Sequence, residues 1–407
     1  MGASVMRVLA LTHRTPFPPD KGDKIRTHHL LTRLAKRCEV HLMAFAEPPS
    51  DLDHAARLRR HFASVTLVPL DMRWQRVKAL PWLLGWQPLT LPVFRSWRLR
   101  AEVDRAVREL NPDAILAESS SMAPYALRHP EVPLVMDFVD VDSAKWRAYA
   151  DEASFPMRSV YRREAATLQE YEREVARRAV ISTVTADREK VLLAAIAPGC
   201  DARTLANGVD TDYFGPAATP APDASAVFFG AMDYHANVEA AVFLVREVMP
   251  RVRARYPDFR VVIAGSRPTP EVLALAAVEG VTVTGYVEDI RPYVTGCAVC
   301  VIPLRVARGV QNKVLEAMAM GVPVVCSPAA AEGIEAEPGT QLVVAPYGEQ
   351  GAPMAEAVLA LLHDRARAQA IAVAARQRVE ARYGWEPRSD ELLGMLTEAS
   401  ERRARRA

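Results

Sequence analysis

The sequence has only five cysteines among 407 residues and no apolar run long enough to cross a bilayer. An odd number of cysteines in a chain of this length indicates no disulfide framework and a reducing compartment. The longest uncharged stretch, 79–94, is short and is interrupted by prolines. The first apolar run, Val8–Leu11, is not followed by a small-residue cleavage site, so no secretory leader is expected. These absences predict a cytoplasmic protein.

Net charge is also small, because the formal charge at pH 7 is +2. A nucleic-acid partner is therefore not expected. The first 180 residues are nevertheless basic, and the rest of the chain is acidic. A basic half could attract an anionic ligand or an anionic bilayer face, although a few solvated helix faces would explain the same excess.

The uncharged stretch 79–94 contains three large aromatic side chains, those of Trp82, Trp86 and Phe94, and a basic residue flanks it on each side. Aromatic side chains beside basic ones are typical of a surface that lies in the headgroup region of a membrane. The alternative is an apolar loop that packs on its own domain. The sequence thus allows a peripheral contact with the inner face of the cell membrane or a packed loop.

Cys297 and Cys300 form a Cys-x-x-Cys pair inside the apolar run 297–302. Neither a second such pair nor a histidine lies nearby in the sequence. Packing in a core strand is therefore predicted for both cysteines, rather than a metal or redox site.

Short β-rich runs alternate with helical patterns along the whole chain, which predicts parallel sheets covered on both faces. In the first half, strands are predicted at Val5–Leu11, Val40–Phe45, Ser64–Val68, Ala114–Ala117, Leu134–Phe138 and Val180–Thr183. In the second half, they are predicted at Ala226–Phe229, Arg260–Ala264, Val281–Thr284, Ala298–Ile302, Val324–Cys326 and Gln341–Val344. The main helices are predicted at Ile25–Lys36, Leu99–Leu110, Arg158–Arg178, Val238–Val252, Lys313–Met320, Ala355–Leu362 and Arg365–Ala381.

The alternation occurs in two halves joined by a proline-rich and alanine-rich stretch, 211–224, so the fold class predicted is α/β with two Rossmann-like, doubly wound domains. The domains are predicted at 1–205 and 206–385. A final helix over 386–407 is expected to pack back toward the first domain, with residues 401–407 frayed. Ligands are expected at the carboxyl ends of the strands, in a cleft between the domains.

The most informative segment runs from Ile302 to Val325 and is predicted as a strand, a loop containing Gly309 and a helix that begins near Asn312. A helix that starts after a glycine loop presents free backbone N–H groups to an anion. Lys313 in the first turn favours a bound phosphate, and Glu316 lies one turn further on the same face, where its carboxylate could accept hydrogen bonds from ribose hydroxyls. The alternative is an ordinary helix start with a surface lysine and glutamate.

Residues 316–325, Glu-Ala-Met-Ala-Met-Gly-Val-Pro-Val-Val, resemble the signature of the family 4 retaining glycosyltransferases, which have the GT-B fold. The resemblance implies that Glu316 binds the donor ribose. The first glutamate of that signature is replaced here by Arg308, but a subgroup pattern of Pro-Leu-Arg, Gly, Lys and Glu fits residues 303–316. It implies that Lys313 and Arg305 bind the donor diphosphate and neutralise the charge that develops on it.

Other segments resemble the same family in the expected order. Asn207-Gly-Val-Asp is similar to its interdomain loop, Phe229–Asn237 to the first strand–loop–helix of its donor domain, and Gly285–Asp289 to the loop that packs on the nucleotide base. The resemblance implies donor-binding roles for Asn207, Gly230, Gly285 and Val287 beside Gly309, Asn312, Lys313 and Glu316.

The phosphate-binding arginine and lysine that many relatives carry in the Phe229–Asn237 loop are absent here, because Ala231 and Asn237 stand near those places. The resemblance therefore implies that the diphosphate depends on Lys313 and Arg305.

In the first half, Pro16–Arg26 and Asp137–Trp146 resemble sugar transferases of PEP-CTERM/exosortase exopolysaccharide loci. Gly22 would let a ligand approach the backbone, and Asp23 is a candidate for acceptor binding or for capping the next helix. Asp140 and Asp142 form an Asp-x-Asp, interpreted as acceptor-side or helix-capping residues with a catalytic role for Asp140, rather than as a metal site. His13, His28 and His29 are further candidates by position alone.

The resemblance implies a retaining glycosyltransferase that needs no metal or other cofactor and uses a nucleotide diphosphate sugar as donor. The acceptor expected is a polar glycan, either lipid-linked or a growing exopolysaccharide. Two alternatives stay open, a sugar-nucleotide epimerase or phosphorylase on the same fold and a non-catalytic nucleotide-sugar-binding protein. An epimerase would act on the donor alone, and a binding protein would hold the donor without turnover.

Overall fold

The computed structural model describes residues 5–19, 22–47, 49–217, 224–307 and 310–405. The chain divides into two compact units, of which unit 1 comprises Met1–Asn207 with Trp385–Ala407 and unit 2 comprises Gly208–Gly384. The stretch predicted to join the halves thus begins inside unit 2. There Phe214 packs against the core, and its carbonyl accepts a hydrogen bond of 3.2 Å from Nη1 of Arg376.

The described residues of unit 1 form a parallel seven-stranded sheet in the order β3-β2-β1-β4-β5-β6-β7. Its strands are rich in β-branched and other apolar residues, as expected of strands that are buried on both faces. They are β1 Arg7–Thr12, β2 Glu39–Ala46, β3 Ser64–Pro69, β4 Ala114–Glu118, β5 Leu134–Val139, β6 Ile181–Val184 and β7 Ala202–Thr204.

Helices cover both faces of this sheet. On β1, Leu9 and Leu11 belong to one buried cluster, whereas Val8 and Ala10 belong to the other. The helices of unit 1 are α1 Gly22–Leu34, α2 Ala55–Leu58, α3 Met72–Ala79, α4 Thr90–Val93, α5 Trp97–Leu110, α6 Ala123–Ala126, α7 Asp142–Glu152, α8 Met157–Arg178, α9 Asp187–Ile196 and α18 Trp385–Ala404.

The last helix, α18, packs against α1. The indole of Trp385 is stacked on the ring of His29, with centroids 5.3 Å apart, and Glu398 accepts two hydrogen bonds from Arg203, of 2.6 and 2.9 Å. The helix continues to Ala404, so residues 401–404 are helical, whereas residues 406 and 407 of the range predicted to fray lie outside the described residues.

Unit 2 repeats the scheme, and its described residues form a parallel six-stranded sheet in the order β10-β9-β8-β11-β12-β13. One large buried cluster fills this unit, and it includes Cys297 and Cys300, which are free, as well as residues of each strand except the short β13. The strands are β8 Ser225–Phe229, β9 Arg260–Ala264, β10 Val281–Val283, β11 Val299–Ile302, β12 Val324–Cys326 and β13 Val343–Val344.

The helices of unit 2 are α10 His235–Phe243, α11 Met249–Arg253, α12 Pro270–Ala274, α13 Arg291–Thr295, α14 Asn312–Ala319, α15 Pro328–Ala331, α16 Ala352–His363 and α17 Arg365–Arg382. The helix predicted at Val238–Val252 is divided, because a π-helical segment at Leu244–Val248 lies between α10 and α11. Pro250 has no N–H to donate, which favours such a rearrangement near that point. The predicted α/β class, with two parallel Rossmann-like sheets, is confirmed.

Candidate functional site

Each sheet has a point at which the strand order reverses, and in parallel sheets ligands bind at the carboxyl ends beside such a point. In unit 1 the reversal occurs at β1, which lies between β2 and β4. In unit 2 it occurs at β8, which lies between β9 and β11. Most of the candidate residues are found at these two edges.

In unit 2, glycines follow three adjacent strands at this edge. Gly230 follows β8 with φ +153°, Gly265 follows β9 with φ +146°, and Gly285 lies just beyond β10 with φ +67°. A Cβ atom at position 265 would lie 1.7 Å from the carbonyl oxygen of Gly230, so the two backbones can approach only because this residue is glycine. The glycines therefore allow the loops after β8 and β9 to pack closely against each other at this edge.

The side chain of Lys313, in the first turn of α14, points at the same place. Its Nζ donates a hydrogen bond of 2.6 Å to Oδ1 of Asn237, and the Nδ2 of Asn237 donates to the carbonyl of Ala231 at 2.8 Å. A Cβ atom built on Gly230 would lie 3.0 Å from Nδ2 of Asn237 and 3.1 Å from Nζ of Lys313. A side chain at position 230 would therefore press against both nitrogens, so glycine leaves room beside them.

Burial shifts the pKa values of the two charged residues of α14. It lowers the pKa of Lys313 to about 8, against the opposing effects of Cys300 and Glu316. It raises the pKa of Glu316 to about 7, and the charge of Lys313 acts in the opposite direction. An ammonium and a carboxylate that can both change charge near neutral pH are typical of functional sites.

The start of α14, which was predicted to be an anion site, is described from residue 310 onward, and the anion site stays a prediction. The helix begins at Asn312, which is exposed, and no side chain caps it at Gln311. Gly309 and Arg308 lie outside the described residues. Arg305 contacts the ring of Tyr347, with its guanidinium carbon 5.2 Å from the ring centroid, and lines a cavity with Phe243 and Asp233. The diphosphate-binding role of Arg305 stays a prediction.

The loop after β10 carries the two residues predicted to face the base. The hydroxyl of Thr284 donates to the carbonyl of Gly285 at 2.8 Å, and the N–H of Gly265 donates to the same carbonyl at 3.3 Å. Val287 is half-buried, and the neighbouring Tyr286 is exposed. The loop is thus fixed against the glycines of the edge.

In unit 1, ionisable side chains converge at the carboxyl ends of β1 and β4. His13 lies between two carboxylates, 3.3 Å from Asp23 through Nε2 and 3.3 Å from Glu118 through Nδ1. Arg14 donates to Asp23 at 2.6 Å, and Thr27 donates to Glu118 at 2.7 Å. These contacts tie α1, which begins at Gly22, to the edge of the sheet.

The same contacts set the charges of this group. Burial by itself would lower the pKa of His13, but the charge of Glu118 and hydrogen bonds to Asp23 and Glu118 raise it to about 9. Burial would raise the pKa of Asp23, but His13 and Arg14 hold it well below its usual range. Both ring N–H groups of His13 face carboxylates, so the imidazolium holds Asp23 and Glu118 in place, and the remaining lone pairs of these carboxylates can accept hydrogen bonds from a substrate hydroxyl.

Beside this group lies a buried ion pair. Arg26 is 1% exposed, and it donates to Asp137, at the end of β5, at 3.1 and 3.3 Å and to Oδ1 of Asn207 at 2.9 Å. Asp137 also accepts a hydrogen bond of 3.2 Å from the N–H of Val139, which has φ +67°. A β-branched residue in the left-handed region is strained, and such strain concentrates at functional sites. Asn207, which was predicted to bind the donor, therefore contacts Arg26, and both residues belong to unit 1.

The two aspartates of the Asp-x-Asp are paired with one lysine. Nζ of Lys145 lies 2.8 Å from Asp140 and 3.3 Å from Asp142, and the hydroxyl of Thr185 donates to Asp140 at 2.9 Å. Burial would raise the pKa of Asp140, but Lys145 lowers it, so the carboxylate stays charged. Across the described residues, no group of three or more His, Cys, Asp or Glu side chains is placed to hold a metal ion.

The three candidate histidines differ in their surroundings. His13 belongs to the carboxyl-end group, whereas His29 is stacked on Trp385 and contacts Arg33. His28 packs between Phe17 and His29, and burial lowers its pKa to about 4. His13 is therefore the histidine that the structure brings to the candidate site.

The segment 79–94 does not present all three of its aromatic side chains to solvent. Trp86 is 94% exposed, but Trp82 and Phe94 are half-buried, and the Phe94 ring lies 6.0 Å from that of His13 and 6.1 Å from that of Phe45. A surface built from all three aromatic residues is therefore wrong, since the loop packs on its own unit. Within the described residues, none of the helices is both long and apolar enough to span a membrane.

Some residues of the candidate site give little signal in the sequence. Asn237 stands out only as a departure from a family pattern, and Gly265 and Glu118 lie in strand-end positions without a recognisable motif. Gly265 and Glu118 each come directly after a predicted β-strand. A glycine or an acidic residue in that position is the one sequence signal that could have indicated them.

The architecture is that of the GT-B glycosyltransferases. It is similar to a sucrose-phosphate synthase from Thermosynechococcus elongatus, with a TM-score of 0.62 and 18% identity over 96% of this chain and 98% of that one. It is also similar to HepE from Anabaena, solved in complex with UDP and glucose, with a TM-score of 0.60 and 15% identity over 97% of this chain and 100% of that one. At these identities the likeness establishes the GT-B fold.

Within that fold, residues 223–364 match the family model of "Glycosyl transferases group 1". The sequence is also 28% identical, over 211 residues, to a GDP-mannose-dependent monoacylated alpha-(1-6)-phosphatidylinositol monomannoside mannosyltransferase from Corynebacterium glutamicum. That match covers 47% of this chain and about half, 55%, of the relative. The matched segment and the fold together support an enzyme of the glycosyltransferase class.

Proposed function

We propose that this protein transfers a sugar from a nucleoside diphosphate sugar to a polar glycan acceptor. The observation that carries the proposal is the partly buried ammonium of Lys313, held at 2.6 Å by Asn237 beside Gly230 at the strand-order reversal of unit 2. A phosphate oxygen is the ligand atom that such an ammonium would hold. Matches to the glycosyltransferase group 1 family over residues 223–364 support the same donor class.

The chemistry proposed for the donor side is charge neutralisation. Lys313, assisted by the N–H groups at the start of α14 and by Arg305, would stabilise the charge that develops on the leaving diphosphate. Glu316, one turn further along α14, would accept hydrogen bonds from the ribose. Gly230, Gly265 and Gly285 would let the nucleotide lie close to the sheet edge, with Val287 beside the base.

We propose that unit 1 supplies the acceptor side. The carboxylates of Asp23 and Glu118, held in place by the imidazolium of His13, would accept hydrogen bonds from acceptor hydroxyls, and Asp140 and Asp142 extend the polar edge. The acceptor proposed is a lipid-linked or growing exopolysaccharide, met at the inner face of the cell membrane. Retention of configuration and independence from metals are parts of the same proposal, supported by the resemblance of residues 316–325 to the retaining family 4 enzymes.

A thermal-shift screen against UDP, GDP, ADP, CMP and dTDP, with Mg²⁺ and with EDTA, tests the donor site. A ligand that binds the folded state raises the unfolding midpoint by mass action. We expect one nucleoside diphosphate to raise it equally in both conditions, and Glu316→Ala to remove the shift. The mannosyltransferase named above depends on GDP-mannose and the HepE structure contains UDP, so the screen also identifies the base. A shift that needs Mg²⁺ would contradict the metal-independent donor site.

Product analysis then separates transfer from the other reactions. With the donor identified, the protein is incubated with its nucleotide sugar in the presence and absence of a lipid-linked glycan mixture. Transfer requires the acceptor and releases nucleoside diphosphate in step with glycan elongation. Conversion of the donor to an epimer without acceptor would replace the proposed function with epimerisation, and release without elongation would contradict transfer to a glycan.

A further inference from the structure

Unit 1 contains a cavity of about 540 Å³ that the proposed chemistry does not use. It lies between the start of α5, the end of α6, the carboxyl half of α8 and the loop that carries Trp82 and Phe94. Phe94 lines it on one side, and the same ring lies 6.0 Å from the ring of His13. The cavity therefore adjoins the polar edge at which the acceptor is proposed to bind.

The walls of this cavity are fixed by buried hydrogen bonds. The hydroxyl of Tyr125 donates to the carbonyl of Phe94 at 2.6 Å and accepts from the N–H of Ser96 at 2.9 Å. From α8, Glu164 accepts from the N–H groups of Leu89 and Thr90 at 2.7 and 3.1 Å. The loop is thus bound to the unit along its length, and the cavity is a preformed site.

The lining is strongly basic. Among the described residues that line the cavity, four are arginines, Arg95, Arg100, Arg128 and Arg178, and one, Glu174, is acidic. Arg100 and Arg128 share Asp104, at 4.0 and 3.0 Å, and Arg178 is paired with Glu174 at 3.1 Å. Arg95 instead faces the ring of Trp82, with its guanidinium carbon 5.9 Å from the ring centroid. The cavity therefore favours an anionic group.

The rim of the cavity is aromatic and exposed. Trp97, which lines it, is 82% exposed, and Trp86, in the neighbouring loop, is 94% exposed. The helix α3 packs against α4 beside this loop and carries Trp74, which is 57% exposed. Exposed tryptophans grouped around a basic site are typical of a surface that lies in the headgroup region of a bilayer.

We propose that this cavity binds the phosphate headgroup of an anionic phospholipid while Trp86 and Trp97 lie in the interfacial layer of the bilayer. The inference deepens the proposed membrane contact and does not depend on the identity of the sugar donor. When the protein is bound to the bilayer in this way, the cavity lies beside Phe94 and His13. An acceptor anchored in the same bilayer then reaches the polar edge around His13 without leaving the membrane surface.

Sedimentation with vesicles tests the inference on the full chain. Vesicles of phosphatidylcholine alone are compared with vesicles containing one third phosphatidylglycerol, at low and high salt. We expect binding to the anionic vesicles only, and a decrease with salt. The pair Trp86→Ser with Trp97→Ser should lower the bound fraction at least tenfold, and Arg95→Gln with Arg100→Gln should lower it several-fold.

Matched variants control for general effects of charge and apolar area. Arg59→Gln with Arg60→Gln removes two exposed arginines elsewhere in unit 1, and Tyr234→Ser removes an exposed aromatic side chain from unit 2. Both are expected to bind as the wild type does. Equal binding to neutral and anionic vesicles, or loss of binding in the controls as well, would overturn the inference.

A nucleotide thermal shift on the same variants keeps the two proposals separate. If the variants retain the shift but lose the vesicles, both proposals stand. If the wild type shows the shift but binds no anionic vesicle, the headgroup site is wrong and the donor site stands. If it binds the vesicles through Trp86 and Arg95 but shows no shift, the donor proposal fails instead.

Discussion

Nζ of Lys313 lies 2.6 Å from Oδ1 of Asn237. The two residues come from helices that follow β11 and β8, the strands that meet at the reversal of strand order in unit 2. Asn237 is 5% exposed and is itself oriented by its hydrogen bond to the carbonyl of Ala231. Many members of the family that the sequence resembles carry a basic residue near position 237. In this protein Asn237 stands there instead, and it positions the ammonium of Lys313 beside Gly230.

Replacement of Lys313 by methionine should remove the charge while keeping much of the side-chain volume. We expect kcat/KM for the donor to fall by about 10²–10³-fold, since the ammonium would stabilise charge that develops on the leaving phosphate. Steady-state kinetics with the donor identified by thermal shift measures this. Arg255→Met, an exposed change at the opposite edge of unit 2, serves as the control and should leave kcat/KM within about twofold. A similar value for Lys313→Met would remove Lys313 from the mechanism.

Asn237 is predicted to act through Lys313. Asn237→Leu removes the oxygen that accepts from Nζ, and we expect weaker donor binding through a lysine that is no longer held beside Gly230. Asn237→Asp keeps that oxygen but adds a negative charge, which should raise the pKa of Lys313 and move the alkaline limit of donor binding to higher pH. If Asn237 had only a structural role, Asn237→Asp would leave the alkaline limit of donor binding at the same pH. Calorimetric titration of nucleotide at several pH values makes the comparison.

Donor binding should itself depend on pH, with limits set by the two residues of α14. Burial raises the pKa of Glu316 to about 7, so its carboxylate is protonated at lower pH and accepts ribose hydrogen bonds less well. Burial lowers the pKa of Lys313 to about 8, so the ammonium is lost above that value. We expect the highest affinity between these values, and uptake of protons on binding at pH 8 and above. The two groups interact, so the limits belong to the pair.

The variant Glu316→Gln separates the acidic limit of donor binding from the alkaline one. A glutamine cannot be protonated in this range, so the acidic limit should disappear while the alkaline one remains. An acidic limit that persists in Glu316→Gln would assign it to another group. Affinity that is constant from pH 6 to 9 in the wild type would contradict both assignments.

The sequence predicted the fold well, because parallel strands that are buried on both faces form continuous apolar runs. Residues 324–326 and 260–264 were placed without error as β12 and β9. Strands with little apolar signal were harder, since β7, Ala202–Thr204, contains an arginine and was missed, and β13 was predicted two residues too long. Boundaries depend on tertiary hydrogen bonds that local composition does not record.

The candidate site was predictable where local pattern and chemistry coincide, as at Lys313 and Gly230. It was not predictable where residues distant in the chain meet. Arg26 and Asp137 are 111 positions apart, and His13 and Glu118 are 105 apart, so no spacing rule relates them. The exposure of Trp86 and the burial of Phe94 likewise follow from the packing of the loop on α8 and the sheet, which the aromatic composition alone cannot show.

The buried pair of Arg26 and Asp137 should contribute to the stability of unit 1. Arg26→Met leaves the carboxylate of Asp137 buried beside Thr183 without its partner, and we expect the free energy of unfolding of unit 1 to fall by about 3–5 kcal/mol. Arg26→Met with Asp137→Leu should recover part of this loss, because no uncompensated charge remains. Since all six tryptophans belong to unit 1, urea unfolding followed by tryptophan fluorescence reports on this unit. Equal losses in the single and the double variant would contradict the ion-pair explanation.

Loss of the positive charge on His13 should make unit 1 less stable in mildly alkaline solution. Its pKa is raised from 6.5 to about 9, so its contribution is fully present below pH 6.5 and is lost as the pH rises through 9. Since a tenfold change in a protonation equilibrium corresponds to about 1.4 kcal/mol, that contribution is ~3 kcal/mol at most. His13→Gln should therefore remove the decrease in unfolding free energy between pH 7 and 9. The control is His28→Gln, because the pKa of His28 is lowered to about 4 and its ring stays neutral over this range. If His13→Gln retained the wild-type pH dependence, the imidazolium between Asp23 and Glu118 would be excluded, and with it the charged group that is proposed to hold these two carboxylates on the acceptor side.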